Sequence, residues 1–140
     1  MTDDQKEPQG KLSIRTLTMP ADTNPAGDIF GGWVMSQMDI AGSLHAVEHV
    51  RSRVVTVAVD SMTFVKPVKV GDVVCCYTEI VRVGRTSITV NVEAWALRNA
   101  LGTREKVTEA RFIYVKLGED GRPAEIQNTD IKPDTDHKED

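Results

Sequence analysis

The chain has 140 residues, 40% of them hydrophobic, and a formal net charge of −4. That length suits one domain of ordinary size. The acidity sits in the ends: residues 12–118 hold 10 acids against 12 Lys and Arg, so the body is slightly basic. Such a body could receive an anionic ligand but is far short of a nucleic-acid-binding patch.

No apolar run approaches the ~20 residues needed to span a membrane. The opening MTDDQKEPQGK has no apolar stretch of the kind a secretory signal needs, so a cytoplasmic location is expected. Cys75 and Cys76 are adjacent in a strand-like run and would point to opposite faces, so they read as reduced core residues. His45, His49 and His137 make a poor ligand set, and no metal is expected.

The elements follow in order. Residues 12–19, LSIRTLTM, alternate and read as a strand. Pro20, Asp22, Asn24 and Pro25 make a loop. A helix is expected from about Phe30 to Val50, with Asp28 as its cap. Val54–Val65 is β-branched and long enough for a strand, and Val73–Val83 is the next. Gly84-Arg85 is a hairpin turn before the alternating strand Ile88–Leu97. A turn at Arg98–Thr103 leads into a last strand, Val107–Leu117. The order is one strand, one helix, four strands. Hairpin-length links make the sheet mostly antiparallel, and long strands suit a curved sheet around one helix, an α+β fold.

The helix is unusual. Trp33, Val34, Met38, Ile40, Ala41, Leu44 and Val47 cover most of its circumference, which predicts a buried helix. Asp39 is the acid on it that needs explaining, because an isolated buried carboxylate is costly. It is either satisfied by backbone or an Arg, or it is a catalytic carboxylate in a pocket. Ser36, Gly42 and Ser43 nearby are small and favour the pocket, leaving room above the carboxylate. At the helix start, Gly31 and Gly32 leave the unpaired N–H groups open, the construction of an oxyanion hole.

Gly31 and Asp39 are eight residues apart, or ~12 Å along a helix. Chemistry needs both within about 3 Å of one reacting group. One helix cannot meet that demand alone. A shared site predicts a homodimer with each active site at its interface.

Three stretches, RTLTMPADTNPAGDIFGGWVMSQMD, VVTVAVDSMTFVKPVKVGDVV and VGRTSI, resemble the hotdog-fold acyl-CoA thioesterases of the YciA type. The resemblance covers residues 12–117 as one domain. It leaves 1–11 as a polar tail and 118–140 as an acidic, flexible tail. It implies hydrolysis of acyl-CoA to free acid and CoA without metal or cofactor, in a trimer of hotdog dimers. It carries the catalytic acid onto Asp39, a polar catalytic residue onto Asn24 and the oxyanion donor onto Gly32. Asn24 has an equal claim to an Asx-type loop bond.

The CoA phosphates would meet Lys66 and Lys69 in one turn and Gly84, Arg85, Thr86 and Ser87 in another. Trp33, Met35 and Met38 are candidates for the acyl pocket. Two alternatives share the fold: a hydratase or dehydratase of acyl thioesters, and a non-catalytic acyl-CoA-binding module. The first usually employs a His with a carboxylate, and no His precedes the helix. In the second, Asp39 would have little purpose.

Overall fold

The computed structural model describes residues 5, 7–98 and 102–127. Five strands form one antiparallel sheet: β1 (Lys11–Leu17), β2 (Val54–Asp60), β3 (Val73–Val83), β4 (Ser87–Arg98) and β5 (Thr103–Lys116), in the order β1-β3-β4-β5-β2. The single long helix, α1 (Gly31–Val50), packs against all five. The inward residues of β4, from Ile88 through Val90, Val92 and Ala94 to Ala96, are fully buried and join Val34, Met38, Ala41 and Ala46 of α1 in the core. The period of two in β4 thus meets the apolar face of α1.

Element ends differ from the sequence expectation where chain geometry intervenes. The strand begun at Val54 stops at Asp60 rather than Val65, because Ser61 turns into the left-handed region at φ 50°. Residues 61–68 then cross toward the start of α1, where Val68 O accepts the Ile29 N–H and Phe64 lies beside Gly31. Asp28 does not cap the helix. Phe30 occupies that position without a side-chain cap, and Asp28 is ion-paired with Lys69. The helix ends on Arg51, also left-handed at φ 58°, whose N–H bonds to Val47 O.

The helix is not covered all round by its own chain. Val34, Met38, Ala41, His45 and Ala46 are buried, but Met35, Ile40, Leu44 and Val47 are exposed. Strand β2 lies at the sheet edge and exposes Val55, Val57 and Val59. An apolar helix stripe and an apolar edge strand therefore both remain open on one chain.

Stretches placed outside the domain from sequence make contact with it. Gln5 and the Gln9 N–H donate to the buried Glu93 carboxylate, which also accepts from Trp95 Nε1 at 2.9 Å. This packing explains how Trp95 and Glu93 can be buried although the neighbouring Ala94 and Ala96 point into the core. At the other end, residues 118–126 fold back on the β3–β4 hairpin. Ile126 is buried there and its N–H bonds to Arg85 O at 2.8 Å. Residues 128–140, the rest of the acidic tail, lie outside the described residues.

Candidate active site

The helix start and Asp39 form two separate chemical groups. At the start, Pro25 to Asp28 fold into a tight loop. Asn24 Oδ1 accepts from the N–H groups of Ala26 and Asp28, at 2.9 and 3.0 Å. The carbonyl oxygen of Asn24 is thus engaged in an Asx-type turn. The loop delivers Gly31 and Gly32 as the first helical residues. Trp33 and Val34 N–H both bond to Phe30 O. Among the described residues, nothing accepts from the N–H of Gly31 or Gly32, as the first turn of a helix dictates. A Cβ built on Gly32 would meet nothing within 4 Å, so the open approach to this backbone is not required by the chain's own packing.

Beside this helix start is a cavity of about 360 Å³ lined by Asn24, Asp28, Gly31, Val34, Phe64 and Lys66, among others. The turn that forms its far wall is stiff. Arg98 is ion-paired with the buried Asp72 and donates to Pro67 O at 3.0 Å, and Asp72 accepts from the Lys69 N–H at 2.9 Å. The N-terminus of α1 and Lys66 bring positive charge to this cavity, alongside the Asp28 carboxylate that is paired with Lys69.

Asp39 does not line this cavity. It lies two turns further along α1, half-buried, facing β2 and β5. Thr56 Oγ1 donates to its Oδ1 at 2.7 Å, and the Tyr114 hydroxyl lies 3.1 Å from the same oxygen and 3.0 Å from the Asp39 carbonyl. Among the described residues no Arg or Lys pairs with Asp39; two side-chain hydroxyls hydrogen-bond to one of its oxygens instead. Tyr114 is fully buried, and burial first, then the neighbouring Asp39 charge, push its phenol well above the usual range.

The space that Gly42 was expected to leave above the carboxylate is filled by the Tyr114 ring and hydroxyl. Nor do the three acyl-pocket candidates line the cavity. Met38 is fully buried in the core, Trp33 packs against it half-buried, and Met35 is exposed. Thr56 and Tyr114 were not singled out from sequence. The signal for them exists only once β2 is paired with β5, where Thr56 and Tyr114 stand opposite each other.

The two basic turns lie at opposite ends of β3. Lys66 and Lys69 sit near the start of α1, with Lys69 paired to Asp28 and Lys66 3.9 Å from Glu105. Arg85 is in the hairpin beyond Val83, paired loosely with Glu125 at 3.4 Å. Along the 11 residues of β3 that separation is about 33 Å of strand. Gly84 serves the turn itself. Its N–H bonds to Ser87 O, and a Cβ would lie 2.8 Å from Ser87 Oγ. Thr86 O accepts from the Lys116 N–H, so of this hairpin the Arg85 side chain is the group most open to solvent.

His45 and His49 are buried against the sheet, with His45 Nδ1 2.8 Å from the Thr78 hydroxyl. Cys75 and Cys76 are free thiols, and burial pushes Cys76 up to about 12. No helix among the described residues is long and apolar enough to cross a membrane.

Residues 26–103 match the family model described as the thioesterase superfamily. The chain is 57% identical over 126 residues to the acyl-CoA thioester hydrolase YciA of Salmonella typhimurium, a match spanning 88% of this chain and 95% of that one. A hexameric thioesterase from Yersinia pestis superposes with a TM-score of 0.82 at 53% identity, covering 88% of this chain and all of the other. A hexameric hotdog-fold thioesterase of Campylobacter jejuni gives a TM-score of 0.81 at 43% identity, covering 86% and 93%.

Proposed function

The chain belongs to the thioesterase superfamily and has the hotdog fold, and from that premise we propose that it hydrolyses acyl-CoA to a free acid and CoA, with Asp39 as its chemical centre. The activity rests on the high identity to a hydrolase of that name over nearly the full length of both chains. The residue assignment rests on one observation. Asp39 is a half-buried carboxylate on an apolar helix with two hydroxyl partners and, among the described residues, no cation.

In this reading Asp39 draws a proton from the water that attacks the thioester carbonyl, and the C–S bond then breaks with the proton passing to the departing CoA thiolate; or Asp39 attacks that carbon itself, expels the CoA thiolate, and water hydrolyses the resulting anhydride to free acid and carboxylate. The Gly32 N–H, open at the helix start, receives the developing negative charge on the carbonyl oxygen. Asn24 shapes the loop that presents Gly31 and Gly32, and its amide nitrogen is available to water or substrate. No metal or cofactor enters the scheme.

Oxyanion donors and carboxylate are ~12 Å apart along α1, so each site is built from two chains. The exposed stripe of Met35, Ile40, Leu44 and Val47 and the open edge of β2 supply apolar surface for the second copy. A trimer of such dimers accounts for the hexamers of the solved relatives. Met35, exposed on the single chain, would then meet the acyl group between copies, with Trp33 behind it. Pairing also answers the separation of the two basic turns. In a dimer, Lys66 and Lys69 of one copy would share one CoA with the Gly84–Ser87 hairpin of another.

The test is release of free thiol from a panel of acyl-CoAs, with Asp39→Asn alongside. Asp39→Asn keeps size and hydrogen bonding but removes basicity, and kcat is expected to fall about a hundredfold or more. A folded Asp39→Asn protein with near-normal turnover refutes the assignment. Binding without thiol release would instead indicate a non-catalytic module.

A further inference from the structure

Asp39 carries its two hydroxyl partners on one oxygen. Thr56 Oγ1 donates to Oδ1, the Tyr114 hydroxyl shares its one proton between Oδ1 at 3.1 Å and the Asp39 backbone carbonyl at 3.0 Å, and no donor reaches Oδ2 among the described residues. A carboxylate free to rotate would present either oxygen. This one is held with Oδ1 inward and Oδ2 outward.

The holding groups come from a specific piece of sheet construction. Thr56 on β2 and Tyr114 on β5 are cross-strand partners, so their side chains emerge side by side. Immediately after Thr56 the pairing slips: Thr56 faces Tyr114 but Ala58 faces Ile113, leaving Val57 as a bulge. Bulges re-aim side chains and occur beside functional sites. Here the bulge follows the residue that points at Asp39.

The two donors are well suited to a charged acceptor. The Tyr114 phenol keeps its proton through the working pH range, because burial and the Asp39 charge both oppose its ionisation. Thr56 is β-branched, and its restricted χ1 keeps the hydroxyl aimed.

Accepting the reading of Asp39 as the chemical centre, we propose that Thr56 and Tyr114 are positioning residues: they hold Oδ1 and leave Oδ2 as the single oxygen that meets water or the thioester. Neither touches substrate. Their effect is exerted through the orientation of Asp39.

In Thr56→Val and in Tyr114→Phe the carboxylate loses one of the two hydroxyls that hold Oδ1. kcat near neutrality should fall about tenfold, with KM for acyl-CoA within about twofold of the parent. Thr56→Ser keeps the donor and should restore the parent kcat.

The full-length oligomers of all three variants are assayed near neutral pH, with Asp39→Asn in parallel. If Asp39→Asn is inactive while Thr56→Val and Tyr114→Phe keep the parent kcat, or lose it through KM alone, positioning is refuted and the role of Asp39 stands. If Asp39→Asn retains turnover, the role of Asp39 has failed and this inference with it. Should Tyr114→Phe not fold, Thr56→Val against Thr56→Ser decides alone, since the hydroxyl sits at a half-buried edge position.

Discussion

A Cβ placed on Gly42 would lie 2.3 Å from the phenolic oxygen of Tyr114 and 3.1 Å from its Cζ. The glycine exists in this helix so that a tyrosine four strands later in the chain can reach Asp39. Glycine inside a helix costs up to about 1 kcal/mol relative to alanine, and here the close approach of Tyr114 explains it.

Gly42→Ala should therefore reverse the usual expectation for glycine in a helix. Overpacking against the ring should cost about 1–3 kcal/mol in place of the normal helix gain, and should dislodge the hydroxyl from Asp39. Activity and urea unfolding are measured for Gly42→Ala, Tyr114→Phe and the pair. Removing the oxygen removes the worst contact, so the double variant should be less impaired than the two single losses added together. Strict additivity would show that Gly42 does not act through Tyr114.

Mixed oligomers test the shared site. Gly32 has open space around it in its own chain, so Gly32→Leu should fold normally. A loss of activity then reports an obstruction to substrate or to a second copy. Gly32→Leu and Asp39→Asn are each expected to be nearly inactive alone. Co-expressed, each mixed dimer has one site with both lesions and one with neither. Random pairing then returns at most about a quarter of parent activity. Mixed oligomers seen by mass spectrometry without any recovery would mean that each chain builds its site alone.

Arg85 tests the nucleotide end. Its pairing with Glu125 is exposed, so Arg85→Ala should leave the melting temperature within a degree or two. KM for acyl-CoA should rise several-fold with little change in kcat, because a contact far from the thioester is kept throughout the reaction. A short thioester without the nucleotide should be unaffected. Equal damage with both substrates would remove Arg85 from CoA binding.

Local patterns in the chain were enough to place the helix within one residue of its start, to place β3 fully, and to single out Asp39 as the acid on an apolar helix. They also identified the open glycines at the helix start, because the unpaired N–H groups there follow from helix geometry alone. Each of these depends on residues within a few positions of one another. The partners of Asp39 do not. Thr56 is 17 residues away and Tyr114 75, and they come together only through the β2–β5 register and its bulge. Gly42 carried a visible signal, a small residue near an acid, but the sequence has no means of saying whether ligand or ring occupies the space. The same limit applies to the helix. Its apolar circumference was legible and demanded burial on all sides, yet only the sheet order shows which side the chain covers itself and which stripe, Met35 to Val47, it leaves exposed.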